Sequence, residues 1–296
     1  MADYGRDVRF GYFLVPNADD PLLETAQTAE RLGLDLIGVQ DHPYQRRYVD
    51  TWTLLSMIAA TTQRITVFPD VACLPLRPPA VLAKSAASLD LLSGGRLELG
   101  LGAGAFWEAI TAYGGAARTP KHAIDALTEA IQVIRKIWSG EPNLRFTGEH
   151  YHLTGAKSGP IPAHPIGIWL GAAGPRALAL TGRTANGWLP SSGWAPPSRL
   201  PELHDRIDTA AAKAGRDPAD IRRLYNVNGT ITDGPSEGFL RGPASQWADE
   251  LTDLALAYGM DSFIFWGEGD QLTQLHRFAE DVVPLVRERV KEERQG

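Results

Sequence analysis

Strand-like and helix-like segments alternate along this chain without a pause or a doubling. The apolar runs Val8–Leu14, Leu34–Val39, Ile65–Ala72, Arg96–Leu101, Ile166–Leu170, Gly187–Leu189, Leu224–Ile231 and Ser262–Trp266 read as strands. Each is followed by a segment with helical spacing: Pro21–Leu32, Thr51–Thr62, Pro79–Leu92, Pro120–Ser139, Pro175–Arg183, Pro197–Ala214, Pro243–Tyr258 and Leu272–Arg289. The stops agree with the pattern. Gly33 follows the first helix, and the third has proline at its start and Gly94-Gly95 after its end. Alternation of this kind implies parallel strands joined by right-handed crossovers. Eight such units in 296 residues fit a (β/α)8 TIM barrel in number and in length. The alternative is an open doubly wound sheet. No linker divides the middle of the chain, so the expectation is a single α/β barrel domain over residues 1–296.

Composition excludes several classes. The formal net charge is −6 and the isoelectric point lies near 5.7, which argues against a nucleic-acid-binding surface. Cys73 is the one cysteine, so an intrachain disulfide and a CxxC motif are both ruled out. The first residues lack the apolar core of a secretory signal, and no uninterrupted apolar run reaches the ~18 residues of a membrane span. A soluble cytoplasmic protein is expected. There is no Walker loop, no GxSxG elbow and no Rossmann fingerprint in its strand–turn–helix context.

Two segments exceed ordinary loops. Residues 141–165 form an insertion rich in Gly, Pro and His. Within it Glu149, His150 and His152 do not have HExxH spacing and read as structural. Residues 232–242 carry Gly234, Gly238 and Gly242, with Gly229 close by, and are a candidate lid or a plain surface excursion.

In a barrel, function collects where the strands end and the following loops begin. Three strand ends stand out. Asp41-His42 places an imidazole where it can move a proton near neutral pH; the aspartate next to it raises its basicity or ties the loop down. Gly171-Ala172-Ala173-Gly174-Pro175-Arg176 presents backbone N–H groups and the positive end of a helix dipole, a seat for phosphate or simply a tight turn. Gly102-Ala103-Gly104 lets a flat ring approach the backbone. Phe106, Trp107, Trp194 and Trp266 offer apolar walls for a substrate. Cys73 reads as a small buried hydrophobe.

Taken together and in order, three stretches resemble the luciferase-like monooxygenase superfamily, barrel enzymes that use FMN or the deazaflavin coenzyme F420. They are Gly38-Val39-Gln40-Asp41-His42-Pro43, the run from Ser88 to Gly104, and Ile168–Leu178 followed by Ala185-Asn186-Gly187-Trp188. The resemblance spans Val8 to about Val283. It implies that Asp41 and His42 are the acid–histidine pair near the reactive edge of the ring. Asp70-Val71 would form a non-proline cis peptide backing that ring. Gly102 and Gly104 would edge the cofactor, and Gly171, Ala172, Ala173, Gly174, Pro175 and Arg176 would hold its phosphate.

Two departures bear on substrate. The sugar-phosphate dehydrogenase branch has a glutamate acid where this chain has Ala105, and a phosphate-binding lysine where it has Trp194. Glu108, three residues on, is the remaining nearby acid and joins the candidate catalytic residues, unless it meets the cofactor instead. The reading is therefore an F420-dependent oxidoreductase acting by hydride transfer on a small apolar or neutral substrate. The alternatives are an FMN monooxygenase served by a flavin reductase, and a non-catalytic flavin-binding barrel. Family habit implies a homodimer.

Overall fold

The computed structural model describes residues 3–295. Along the chain run β1 (Arg9–Leu14), α1 (Leu22–Arg31), β2 (Leu36–Val39), α2 (Thr51–Thr61), β3 (Thr66–Pro69), β4 (Ala72–Cys73), α3 (Pro79–Ser93), β5 (Leu99–Gly102), α4 (Trp107–Ala112), α5 (Pro120–Trp138), β6 (Leu144–Thr147), β7 (His152–Ala156), β8 (Ile168–Leu170), α6 (Pro175–Thr184), β9 (Gly187–Trp188), α7 (Leu200–Lys213), β10 (Arg222–Ile231), β11 (Arg241–Gly242), α8 (Ala244–Leu256), β12 (Ser262–Gly267), α9 (Gln271–Arg277) and α10 (Val283–Gln295). All eight expected strands and all eight expected helices are present, in the order read from the sequence. The architecture is the (β/α)8 barrel class. Among the described residues no helix is long and apolar enough to cross a membrane.

The chain's own contacts sort into two compact units. One comprises the residues up to Leu14, Pro21–Gly38 and those from Ala172 onward; the other comprises Val15–Asp20 and Val39–Gly171. In the first, β1 pairs in parallel with β12, β12 with β10, and β10 with β9. Its core is aromatic. Phe265 stacks on Phe278 at 4.4 Å, and Trp247 meets Phe265 edge-on at 5.4 Å. The expected helix Leu272–Arg289 is interrupted by a π-helical turn at Phe278–Val282. Pro284 lacks the N–H that a regular turn would need there, and the wider turn makes room for its ring.

In the second unit β5 lies between β4 and β8, all parallel. The expected strand Ile65–Ala72 is split into β3 and β4 by the Asp70–Val71 peptide bond, which is cis. The insertion at 141–165 folds into the antiparallel hairpin β6–β7. One carboxylate, that of Glu129 on α5, accepts the backbone N–H groups of Glu149 (2.7 Å), His150 (2.8 Å) and Tyr151 (3.0 Å). Those bonds hold the hairpin tip on α5 and drop the Glu129 pKa despite the opposing desolvation. Periodicity did not reveal α4, whose six residues are too few to carry a helical repeat.

Candidate active site

The end of β2 carries the first cluster. Asp41 is fully buried. Arg77 grips it with two hydrogen bonds of 2.6 Å, and the Cys73 backbone N–H adds a third of 2.9 Å. Arg77 also reaches Asp50 at 2.9 Å, and Asp50 caps α2 through the Thr53 N–H. This arrangement raises the Arg77 pKa although burial opposes it. Asp41 thus ties the loop after β2 to the segment after β4. Cys73 is buried beside it, and its thiol is pushed up to about 11, chiefly by desolvation, so it stays protonated.

His42 is half-buried. Tyr44 stacks on its imidazole at 5.4 Å and 18°, and Phe106 meets it edge-on at 5.3 Å. Burial lowers the imidazole pKa, with the Asp41 charge acting the other way. A neutral imidazole able to accept a proton results. Tyr44 carried no signal in the sequence beyond its place two residues after His42. Phe106 caps α4, which Trp107 and Glu108 begin; Phe106 is 57% exposed and Glu108 is exposed on the first turn.

The glycines around the cis bond have a shared packing role. A Cβ on Gly100 would lie 2.0 Å from the Pro69 carbonyl oxygen. One on Gly102 would lie 2.7 Å, and one on Gly171 3.0 Å, from the Val71 side chain. Their missing side chains are the space that Val71 fills. Gly104 needs glycine twice over, for a φ of +96° and for the Pro75 ring 2.7 Å from where a Cβ would sit.

The turn before α6 belongs to the other unit from Ala172 onward. Ala173, Gly174, Pro175 and Arg176 are exposed, and Gly174 caps α6 with no side chain closing the helix end. A Cβ on Gly174 would meet nothing within 4 Å. The turn thus lies at the surface at the N-terminal, positive end of the α6 dipole. Ala172 is buried, and its carbonyl accepts the Trp188 indole N–H at 3.0 Å, which anchors the turn from behind. Sequence reading placed Trp188 in the resembling stretch without giving it this role.

Trp194 and Trp266 lie in that same unit and are 38% and 36% exposed. Phe13 stacks on Trp266 at 5.1 Å, and the Arg199 guanidinium sits 5.2 Å over Trp194. The loop at 232–242 returns to its own strand. Strand β11 pairs with β10, Arg241 forms an ion pair with Glu268, and Leu240 is fully buried with its N–H on Glu250.

Parallel strands alternating with helices define the barrel class first. The chain belongs to the luciferase-like monooxygenase family, whose sequence pattern matches residues 9–237. It is 30% identical over 231 residues to an F420-dependent glucose-6-phosphate dehydrogenase of Gordonia bronchialis, covering 75% of this chain and 68% of the relative. A protein of the same description from Kineococcus radiotolerans is 28% identical, with 96% and 98% covered. Among solved structures, an F420-dependent secondary alcohol dehydrogenase in complex with an F420–acetone adduct superposes with a TM-score of 0.84. It is 20% identical, over 95% of this chain and 99% of that one.

Proposed function

We propose that this protein is a coenzyme F420-dependent oxidoreductase acting on a small apolar or neutral organic substrate. The observation that carries this reading is the neutral, ring-clamped imidazole of His42, whose aspartate neighbour is committed to Arg77 rather than to the imidazole. The F420 dependence of the named relatives supports it. When bound, the coenzyme supplies a carbon that accepts or donates hydride. The exposed turn Ala173–Arg176 fits its phosphate, through backbone N–H groups, the helix dipole and the Arg176 charge. Val71, seated on Gly102 and Gly171, gives a shaped apolar backing; Asp70 precedes it in the chain, and Gly104 lies two residues after Gly102.

His42 moves the proton. Oxidation of an alcohol to a carbonyl would break a C–H bond, whose hydride the coenzyme would take up once held there. It also breaks an O–H bond, whose proton goes to the imidazole nitrogen. Reduction runs the same transfers backwards. Phe106, Trp194 and Trp266 each expose an aromatic ring, which suits an apolar substrate. Ala105 and Trp194 replace the acid and the lysine of the sugar-phosphate branch, so a phosphorylated sugar is not the substrate proposed.

Titration of the purified protein with F420 and with FMN, followed by tryptophan fluorescence, tests the cofactor. Saturable quenching by F420 and little by FMN is expected. Tight binding of FMN alone would overturn the reading in favour of oxygen chemistry with a reductase partner.

We also propose that it is a homodimer joined through α2 and α3. Helix α2 has no charged residue, and α3 has Lys84 and the buried Asp90 as its charges. Yet Met57, Val81, Leu91 and Leu92 are exposed there, Val81 by 64% and Leu92 by 87%. An apolar face of this kind, with Lys84 as its one exposed charge, marks an interaction surface. The paired substitution V81E/L92E should convert a dimer to a monomer in sedimentation; a wild-type monomer would refute the assignment.

A further inference from the structure

The three-ring group at the end of β2 holds more than a substrate wall. The His42 imidazole lies nearly parallel to the Tyr44 ring, 18° apart at 5.4 Å, and Phe106 meets it edge-on at 5.3 Å and 74°. Tyr44 and Phe106 also meet each other, at 6.3 Å and 61°. Each ring therefore touches the other two. They come from two places in the chain: the loop after β2, and the residue that caps α4. An imidazole held on one face by a stacked ring and on another side by a ring edge has lost most of its freedom to turn about χ2.

We propose that Tyr44 and Phe106 are positioning residues for His42, clamping its imidazole in the one orientation from which it takes up and returns the substrate proton. The proposal rests on His42 being the proton-moving group, as read above.

The electrostatics agree with the geometry. Apolar cover lowers the pKa of the imidazole, so removing either ring returns it toward the usual value near 6.5. The titratable groups around the imidazole give no competing explanation. Asp41 acts in the opposite direction and is already paired with Arg77. Cys73 and Tyr44 are both pushed upward, chiefly by burial, and so remain uncharged at neutral pH. Cys73 and Asp41 each add to the rise at Tyr44, so its phenol keeps its proton and serves as a flat neutral surface.

The clamp makes a testable distinction between the ring and the hydroxyl of Tyr44. The His42 imidazole is to be titrated by NMR in the cofactor-free protein, in wild type, Y44F, Y44L and F106L, with H42N identifying its signal. Y44F retains the ring and should match wild type. Y44L and F106L should raise the midpoint by roughly half a pH unit. In turnover assays the acid limb of kcat/KM should move up by the same amount in Y44L. Its kcat should fall about tenfold through loss of orientation, while F420 affinity stays unchanged. Phe106 is 57% exposed, so F106L leaves the core intact and keeps the test open if Y44L folds poorly.

An unchanged His42 midpoint in both Y44L and F106L would overturn the clamp. A raised midpoint in those variants, together with undiminished turnover in His42→Ala, would leave the clamp standing as structure. The same pair of results would remove its part in the reaction, and the role of His42 with it.

Discussion

Substituting His42 with alanine should lower turnover by about 10²–10⁴-fold, the usual worth of a positioned general acid–base. The affinity for F420 should stay within severalfold, because the donors assigned to the phosphate are backbone groups of the turn before α6 and the Arg176 side chain. Single-turnover reduction of the bound coenzyme separates chemistry from binding, and binding is read by fluorescence titration. The wild-type rate should fall on the acid side, below the ordinary imidazole midpoint. The sign follows from the shift: burial depresses the His42 pKa, so the base form persists to lower pH than for a free imidazole. Turnover unchanged in His42→Ala would take the residue out of the mechanism.

The largest loss of stability should come from Arg77→Ala. Asp41 is fully buried, and Arg77 makes two of its three hydrogen bonds. Removing the guanidinium strands a carboxylate in a low-dielectric site, at a cost of about 3–5 kcal/mol. Arg77→Lys should recover only part of this, because an ammonium cannot reproduce the planar fork across both carboxylate oxygens. Urea denaturation measures the difference. A stability within error of wild type would mean that Asp41 finds another partner and that the pair does not hold the loop. The same variant bears on the role of Asp41. Its two shortest bonds go to Arg77, which ties the loop that carries His42 to the segment after β4.

These two residues show how unevenly the site was legible. His42 stood out as a candidate because an imidazole in the loop just past an apolar strand can move a proton near neutral pH, although a structural tie for the loop fits the same place. Arg77 was not, since its partner lies 36 positions away and an arginine after a proline-rich turn carries no local signal. Tyr44 was invisible for a related reason. Its importance is an angle and a distance to another ring, and neither can be read from spacing. The glycines show the reverse difficulty. Gly102 reads as room for a ring and Gly171 as part of a phosphate seat, and the structure sets the Val71 side chain against both. A missing side chain announces close approach without saying what approaches.

The order of strands and helices and the caps and stops at Gly33 and Gly94 were determined by the sequence itself, because apolar periodicity and turn residues act over a few positions. The cis bond at Asp70–Val71 was expected from resemblance, and the structure has it there. Only the tertiary structure decided which partners the polar groups found. Arg77 closes on Asp41, Glu129 gathers three backbone N–H groups of the hairpin, and Trp188 anchors the carbonyl of Ala172. Each of these joins segments at least 16 residues apart, and the pairing is settled by which donors and acceptors burial leaves without water.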